Sequence, residues 1–300
     1  PQYPSGQLRL AGKSDNKKFA LEQLTMQALG GEIHGTGLIN YGEPFAADLK
    51  LTTQTLNPGL IAKEFAGSIN AAINTSIRMH KDKYHVQLKQ LDAHGELRGY
   101  PLKLSAKADI KPELITLNTA NLRLGTANIE ASGTIADKLD IKWLADVKEL
   151  RHLLPQARGK LYSKGHLSGK QATPNISAEA QGEQLFLDGI TLDSLSLTSE
   201  LSLDESKPSS VSVRLSDLRA NAFHAESLTL DLNGLLNQHD IVINLDSNQL
   251  IAELKLAGQW FKQQQNWAFT LNQGSLQYPE TGAWHLAQPA SGEVSATQQR

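Results

Sequence analysis

Long stretches of this chain place an aliphatic residue at every second position and a polar one between. Leu228, Leu230 and Leu232 alternate with Ser227, Thr229 and Asp231. Ala252, Leu254 and Leu256 alternate with Glu253, Lys255 and Ala257. Val211, Val213 and Leu215 follow the same rule, as do Leu185 with Leu187 and Leu195 with Leu197. A period of two sends successive side chains to opposite faces of a pleated strand. The chain therefore predicts sheet with one apolar face and one hydrated face. Helical leucine spacing is the rival pattern. It fails over most of the chain, because the leucines recur at i+2 and glycine breaks the runs.

Strand-like runs occupy 7–11, 19–26, 31–40, 45–53, 67–79, 83–91, 95–106, 113–124, 126–135 and 139–146. They continue at 159–168, 175–181, 184–188, 190–203, 210–218, 222–233, 239–247, 249–258, 266–278 and 283–287. Turn residues separate them at Asn57-Pro58-Gly59, Gly99-Tyr100-Pro101, Lys111-Pro112, Thr173-Pro174-Asn175 and Ser206-Lys207-Pro208. Such even spacing predicts an all-β meander. Only two short helical turns are expected. Leu60–Ala66 ends at Gly67, and Val147–Leu154 ends before Pro155, which cannot continue a helix.

Both turns sit at the same point of an internal repeat. Phe19-x-Leu21-x-x-Leu24-x-Met26 leads to Gly31-x-Ile33-x-Gly35-x-Gly37-x-Ile39. At an offset of 96 residues, Ile115-x-Leu117-x-x-Ala120-x-Leu122 leads to Ala127-x-Ile129-x-Ala131-x-Gly133-x-Ile135. A looser third copy begins near Phe223 and reaches Ala252-x-Leu254-x-Leu256-x-Gly258. Stacked repeats make a quasi-one-dimensional protein. No linker, composition shift or charge block divides the chain. The expectation is one continuous segment over 1–300, with repeat units at roughly 1–95, 96–205 and 206–300. Small residues in the Gly31–Gly37 and Ala127–Gly133 strands are expected to leave space or sharpen curvature.

Composition bounds the function. The 29 basic and 31 acidic residues are interspersed and leave a net charge of −2, which gives no footprint for nucleic acid. There is no cysteine in 300 residues, a lean toward an oxidising compartment. The chain starts at Pro1 without a signal peptide or membrane-spanning run, and it reads as an excerpt whose anchor lies elsewhere. Catalysis finds no foothold. The nine histidines lack metal-ligand spacing, and His80 and His85 are expected to be solvated. His166-Leu167-Ser168-Gly169-Lys170 lacks the full phosphate-loop spacing, because Gln171 follows the lysine. The expectation is no enzyme, no metal and no cofactor. Asp140, Asp146, Lys148 and Glu149 read as a solvated face. Trp143 and Trp260 read as caps on the apolar face, and Trp284 as a turn anchor.

The apolar positions of the alternation are the candidate functional surface. In the first half they are Leu49 and Leu51, Leu102 and Leu104, Leu122 and Leu124, then Ile129, Ile141 and Trp143. In the second half they are Leu185, Leu187, Leu195 and Leu197, then Val211, Val213, Leu228, Leu230 and Leu232. Ile241, Ile243, Leu254 and Leu256 complete the set. On periodicity alone such a face is most often the inside of a closed sandwich or barrel.

The glycine-led strand Gly31-Glu32-Ile33-His34-Gly35-Thr36-Gly37 and the amphipathic strands around it resemble the AsmA-like superfamily, and within it the TamB family. The match is densest at Leu139–Val147, Leu150, Leu153-Leu154-Pro155, Gly159-Lys160-Leu161 and Leu167-Ser168-Gly169. A further recurrent phrase is Trp267-Ala268-Phe269-x-Leu271 with Gly282-Ala283-Trp284-x-Leu286-x-x-Pro289. The resemblance implies an elongated, curled repeat sheet, a trough with an apolar groove. It implies a periplasmic segment of a protein anchored in the inner membrane, and a middle section of a longer chain. It further implies phospholipids as cargo, passed toward the outer membrane, and TamA, an outer-membrane barrel, as partner through regions beyond this segment. Outer-membrane proteins and autotransporters are implied as clients. Three roles stay open: a lipid conduit, an assembly factor that pairs its sheet edge with client strands, and a structural stalk with a filled core.

Overall fold

A computed structural model of the chain describes residues 7–81, 83–262, 264–279 and 281–295. The fold is all-β, with twenty strands and three single turns of 3-10 helix among the described residues. The chain divides into two units, residues 1–143 and 144–300, and the boundary falls inside one strand.

The first unit is an antiparallel meander. Its strands are β1 (Gln7–Ser14), β2 (Lys18–Ala28), β3 (Gly31–Asn40), β4 (Phe45–Leu56) and β5 (Gly67–His80). It continues with β6 (Lys83–Leu97), β7 (Tyr100–Lys111), β8 (Leu114–Leu124), β9 (Ala127–Ile135) and the first part of β10 (Lys138–Val147). Each strand pairs with the next.

The second unit follows the same rule. After the end of β10 come β11 (Arg158–Lys170), β12 (Thr173–Leu187), β13 (Ile190–Ser202), β14 (Ser209–Ala220) and β15 (Phe223–Leu235). Then come β16 (Gln238–Ser247), β17 (Ile251–Phe261), β18 (Asn266–Tyr278), β19 (Gly282–His285) and β20 (Ala290–Ser295). The last two share one strand edge. β19 pairs with the end of β18 at Ser275–Tyr278, and β20 pairs with its start at Asn266–Leu271.

The steps of three in the repeat are β-bulges. Register breaks fall between Leu21 and Leu24, between Leu88 and Leu91, and between Leu117 and Ala120. A bulge inserts one unpaired residue, so the apolar side chains before and after it stay on the same face. The repeat itself spans six strands, since β3, β9 and β15 open at Gly31, Ala127 and Phe223, each 96 residues after the last.

Local differences from expectation have local causes. The expected strands 175–181 and 184–188 form the single strand β12, with a kink at Gln184, whose φ is 51°. Pro101 and Pro174 lie second in β7 and β12 rather than in turns. Proline is tolerated at a strand's start, where its missing N–H costs little. The helical turns are 3-10, at Pro58–Leu60, Lys63–Phe65 and Leu150–His152, and Val147 closes a strand instead of opening a helix. The first pair is too short to nucleate an α-helix. It is pinned by Asn57, whose Oδ1 accepts the backbone N–H of Gly59 and of Gly67. Strand β20 had no counterpart among the expected runs.

Within each unit, close backbone contacts between strands run between those that pair, and a long-range link joins two turns, where the Lys262 ammonium donates to the Ala172 carbonyl at 3.2 Å. The buried apolar set is small, and most of it is alanine: Ala47, Ala93, Ala127, Ala157, Ala180, Ala225 and Ala252, joined by Leu21, Leu102, Leu124 and Val147. The chain exposes 19260 Å². Two separate compact monomers, each of half its mass, would together expose roughly 15,000 Å². The excess fits a sheet whose apolar face is only partly covered.

Candidate functional site

Direct cross-strand partners lie on the same face, so the register defines rows of side chains. One row of the first unit runs Leu10, Leu24, Gly35, Leu51, Ile73, Leu91, Ala106, Ala120 and Ala131. Beside it runs Leu21, Gly37, Leu49, Thr75, Leu88, Ala108, Leu117 and Gly133. Leu104, Leu122 and Ile129 form a third, and Leu102 and Leu124 a fourth. A Cβ at Gly133 would lie 2.7 Å from the Cα of Ile141, so Ile141 sits across from that row. Trp143, two residues on, shares its face by the pleat. The small residues are covered rather than empty. A Cβ at Gly35 would come within 2.8 Å of both Leu24 and Leu51, whose side chains fold over it.

The second unit repeats the arrangement. One row runs Leu161, Gly182, Leu195, Leu215, Leu228, Leu245, Ala252, Leu276 and Trp284. The next carries Leu197, Val213, Leu230, Ile243 and Leu254. A third carries Val211, Leu232, Ile241, Leu256 and Leu271. Leu185 lies over Gly182, where an added Cβ would sit 2.5 Å from its Cδ1. Leu187 stands apart at the sheet margin, opposite Ile190, and both are about half exposed. Trp284 lies in β19 across from Leu276, 61% exposed, and is part of a strand rather than a turn.

Exposure decides what this face is. Among the sequence-assigned positions only Leu102 and Leu124 are buried, at 6% and 5%. The others, Leu187 apart, are partly exposed on strands whose apolar neighbours surround them. A sandwich interior would have sealed them. The alternation alone also missed members of the rows, such as Leu24, Leu91, Ala120 and Leu271. The bulges shift these out of phase, and the signal for them is the step of three.

The opposite face is polar and tied by cross-strand pairs. Lys160–Glu183, Lys164–Glu179 and Arg214–Asp231 close to 2.8, 3.0 and 2.9 Å in the second unit. In the first, Asp48 takes Arg78 at 2.6 Å and Lys89 at 3.2 Å. His85, expected to be solvated, instead meets Asp109 at 2.8 Å, and the Gln87 amide donates to the same carboxylate at 2.9 Å. The His85 hydrogen bond, then that of Gln87, holds the Asp109 carboxyl below its ordinary value, and burial opposes them only in part. A carboxyl lowered by folding stabilises above its unfolded pKa, and that contribution fades as pH falls through the lower, folded value. Asp109→Asn is therefore expected to flatten the loss of stability below about pH 4, read from acid titrations of both proteins by circular dichroism.

Near one end of the second unit an aromatic cluster closes the apolar face. The indole N–H of Trp267 donates to Nε2 of the buried His239 at 3.0 Å, and Trp267 stacks on Phe269 at 4.8 Å. Trp260 lies directly across from Trp267. Among the described residues no group of three His, Cys, Asp or Glu is placed to hold a metal ion. No helix among them is long and apolar enough to cross a membrane.

No solved structure matches the chain. A curated relative does: the translocation and assembly module subunit TamB of Haemophilus influenzae is 19% identical over 278 residues. The alignment covers 92% of this chain and 21% of that protein, so the chain spans about a fifth of its relative's length. The family model described as the N-terminal domain of TamB matches residues 1–300. Repeat sheet, bulged apolar rows and end-to-end match agree, and the chain belongs to the TamB family.

Proposed function

We propose that the chain is a segment of a lipid conduit in the bacterial envelope. Phospholipid acyl chains lie on the apolar face of each unit and pass along it, in the periplasm, between inner and outer membranes. The observation that carries this reading is the set of half-buried aliphatic rows, too long for a local contact and not sealed as a core. Acyl chains need no hydrogen bonds. They gain about 0.8 kcal/mol for each methylene removed from water, and a surface that grips by area alone lets them slide. The longer protein would supply the membrane anchor and the contact with TamA.

A second reading is an assembly factor for outer-membrane barrels and autotransporters, which would pair a strand edge of its sheet with an extended client segment.

The experiment that separates them is site-specific photocrosslinking of the full-length protein in an intact Gram-negative envelope. Leu230 and Leu254 occupy one row through Ile243, while Thr229 and Glu253 occupy the polar face through Asn244. Phospholipid adducts at the leucines and not at their neighbours are expected. Protein adducts in place of lipid at the leucines would favour the assembly role.

A further inference from the structure

We infer that the polar face of the first unit carries a binding site for a phosphate group, in a recess over β6, β7 and β8. The site lies on the other side of the sheet from the aliphatic rows and does not depend on the lipid reading. The recess has a volume of about 530 Å³. Lys89, Lys107 and Lys111 line it with Thr116 and Asn118, and Asp109 is the carboxylate in its wall.

Two bulges build this recess. Asn74 pairs with Gln90 and Thr75 with Leu88, which leaves Lys89 as the extra residue of β6. Lys107 pairs with Thr119 and Ala108 with Leu117, which leaves Asn118 as the extra residue of β8. A bulge re-aims the side chain it carries. On the β6 side, Ala108 pairs with Leu88 and Ala106 with Leu91, so Lys107 falls opposite Lys89 and Gln90. Like charges placed opposite each other destabilise a sheet. In the second unit Lys160, Lys164 and Arg214 each meet an acid on the neighbouring strand. Here the acids are already engaged. Asp48 takes Arg78 at 2.6 Å and Lys89 at 3.2 Å. Asp109 takes His85 at 2.8 Å and Gln87 at 2.9 Å, and Lys111 stands off at 3.5 Å. Lys107 makes no ion pair among the described residues. Glu113, in the β7–β8 turn, does not line the recess. Four cations (Arg78, Lys89, Lys107 and Lys111) against two carboxylates (Asp48 and Asp109) leave two positive charges in excess, before His85 is counted. A phosphate monoester at pH 7 carries close to two negative charges, about −1.5 to −2, and three acceptor oxygens. The Lys107 and Lys111 ammoniums, the Thr116 hydroxyl and the Asn118 amide are donors enough for it. A single carboxylate would bring half that charge and one oxygen fewer.

The test titrates the full-length protein, in nonionic detergent and phosphate-free buffer, with inorganic phosphate, glucose 6-phosphate and succinate, read by calorimetry. Both phosphates are expected to bind, and succinate to bind about tenfold more weakly or not at all. Lys107→Glu is expected to weaken phosphate binding by about tenfold or more, and Lys107→Arg by less than about threefold. Lys103→Glu is the charge-matched control, on the same face of β7 and outside the recess. It lies roughly 13 Å along the strand, beyond the Debye length of about 8 Å at physiological salt, and should change the affinity less than about twofold. Tighter binding of glucose 6-phosphate would mean that the group arrives on a larger molecule, and tighter binding of inorganic phosphate that it arrives free. Either result supports the site. No phosphate binding, succinate binding as tightly, or equal losses in Lys107→Glu and Lys103→Glu would overturn it. Lys107→Glu removes a cation opposite Lys89, so without phosphate its hydrogen exchange in β6, β7 and β8 should be no faster than in the unaltered protein. Faster exchange there would show that the Lys107 charge serves the sheet itself, which also overturns the site.

Discussion

Leu230→Asp in the full-length protein is expected to cut phospholipid labelling at Leu254 by about a hundredfold. Leu230 sits mid-row, with Val213 across from it on one side and Ile243 on the other. An acyl chain on that row must strip water from the new carboxylate, for which the apolar neighbours offer no hydrogen bond. A penalty of about 3 kcal/mol is modest for an unpaired charge, and it corresponds to two orders of magnitude in occupancy. With no lipid on it the site is partly exposed, so the carboxylate stays hydrated and the strand survives. Thr229→Asp is the matched control, one residue away on the polar face beside Arg214 and Asn244. It is expected to change labelling less than twofold, within the usual span of a surface substitution. Undiminished labelling at Leu254 in the Leu230→Asp protein would show that this row is not the path.

The second large effect concerns the fold. Gly133→Ala is expected to destabilise the β9–β10 pairing by about 3 kcal/mol, and Gly99→Ala by only about 1 kcal/mol. Gly133 has φ of 142°, a region closed to side chains, and a Cβ there would collide with the carbonyl oxygen of Asp140. The obstacle is backbone, so the two strands must part. Gly99 also has a positive φ, 80°, but nothing lies within 4 Å of an added Cβ, which leaves only the conformational cost. Hydrogen exchange is the suitable measurement, because a long repeat sheet opens locally rather than in one step. Faster exchange should appear in β9 and β10 for Gly133→Ala. Equal loss in the two variants would refute the steric account.

Much of the sheet was legible because the signal is local. Alternation at Leu228–Leu232 or Val211–Leu215 reports face directly, and the prolines and glycines report most turns. The repeat even displayed its bulges, as the two-residue gap in Leu21-x-x-Leu24, although a gap alone does not say which face the later residues take. Pairing resolved that, by placing Leu24 beside Gly35. Exposure was not legible. Leu230 looks the same in sequence whether a second sheet covers it or a ligand does, because alternation encodes direction and not what lies above. The kink that merges two expected strands at Gln184 carries no proline or glycine at its own position.

Because nearly every strand pairs with the one just before it, building this sheet closes one hairpin at a time, apart from β20, which returns past β19 to β18. Loop-closure entropy grows with the separation of the partners, and so does the delay it imposes on folding. A sheet of this kind can grow strand by strand as the polypeptide emerges, each new hairpin docking on the edge left by the last. Assembly then proceeds in the order of synthesis, and the exposed edge at any moment is a single strand long.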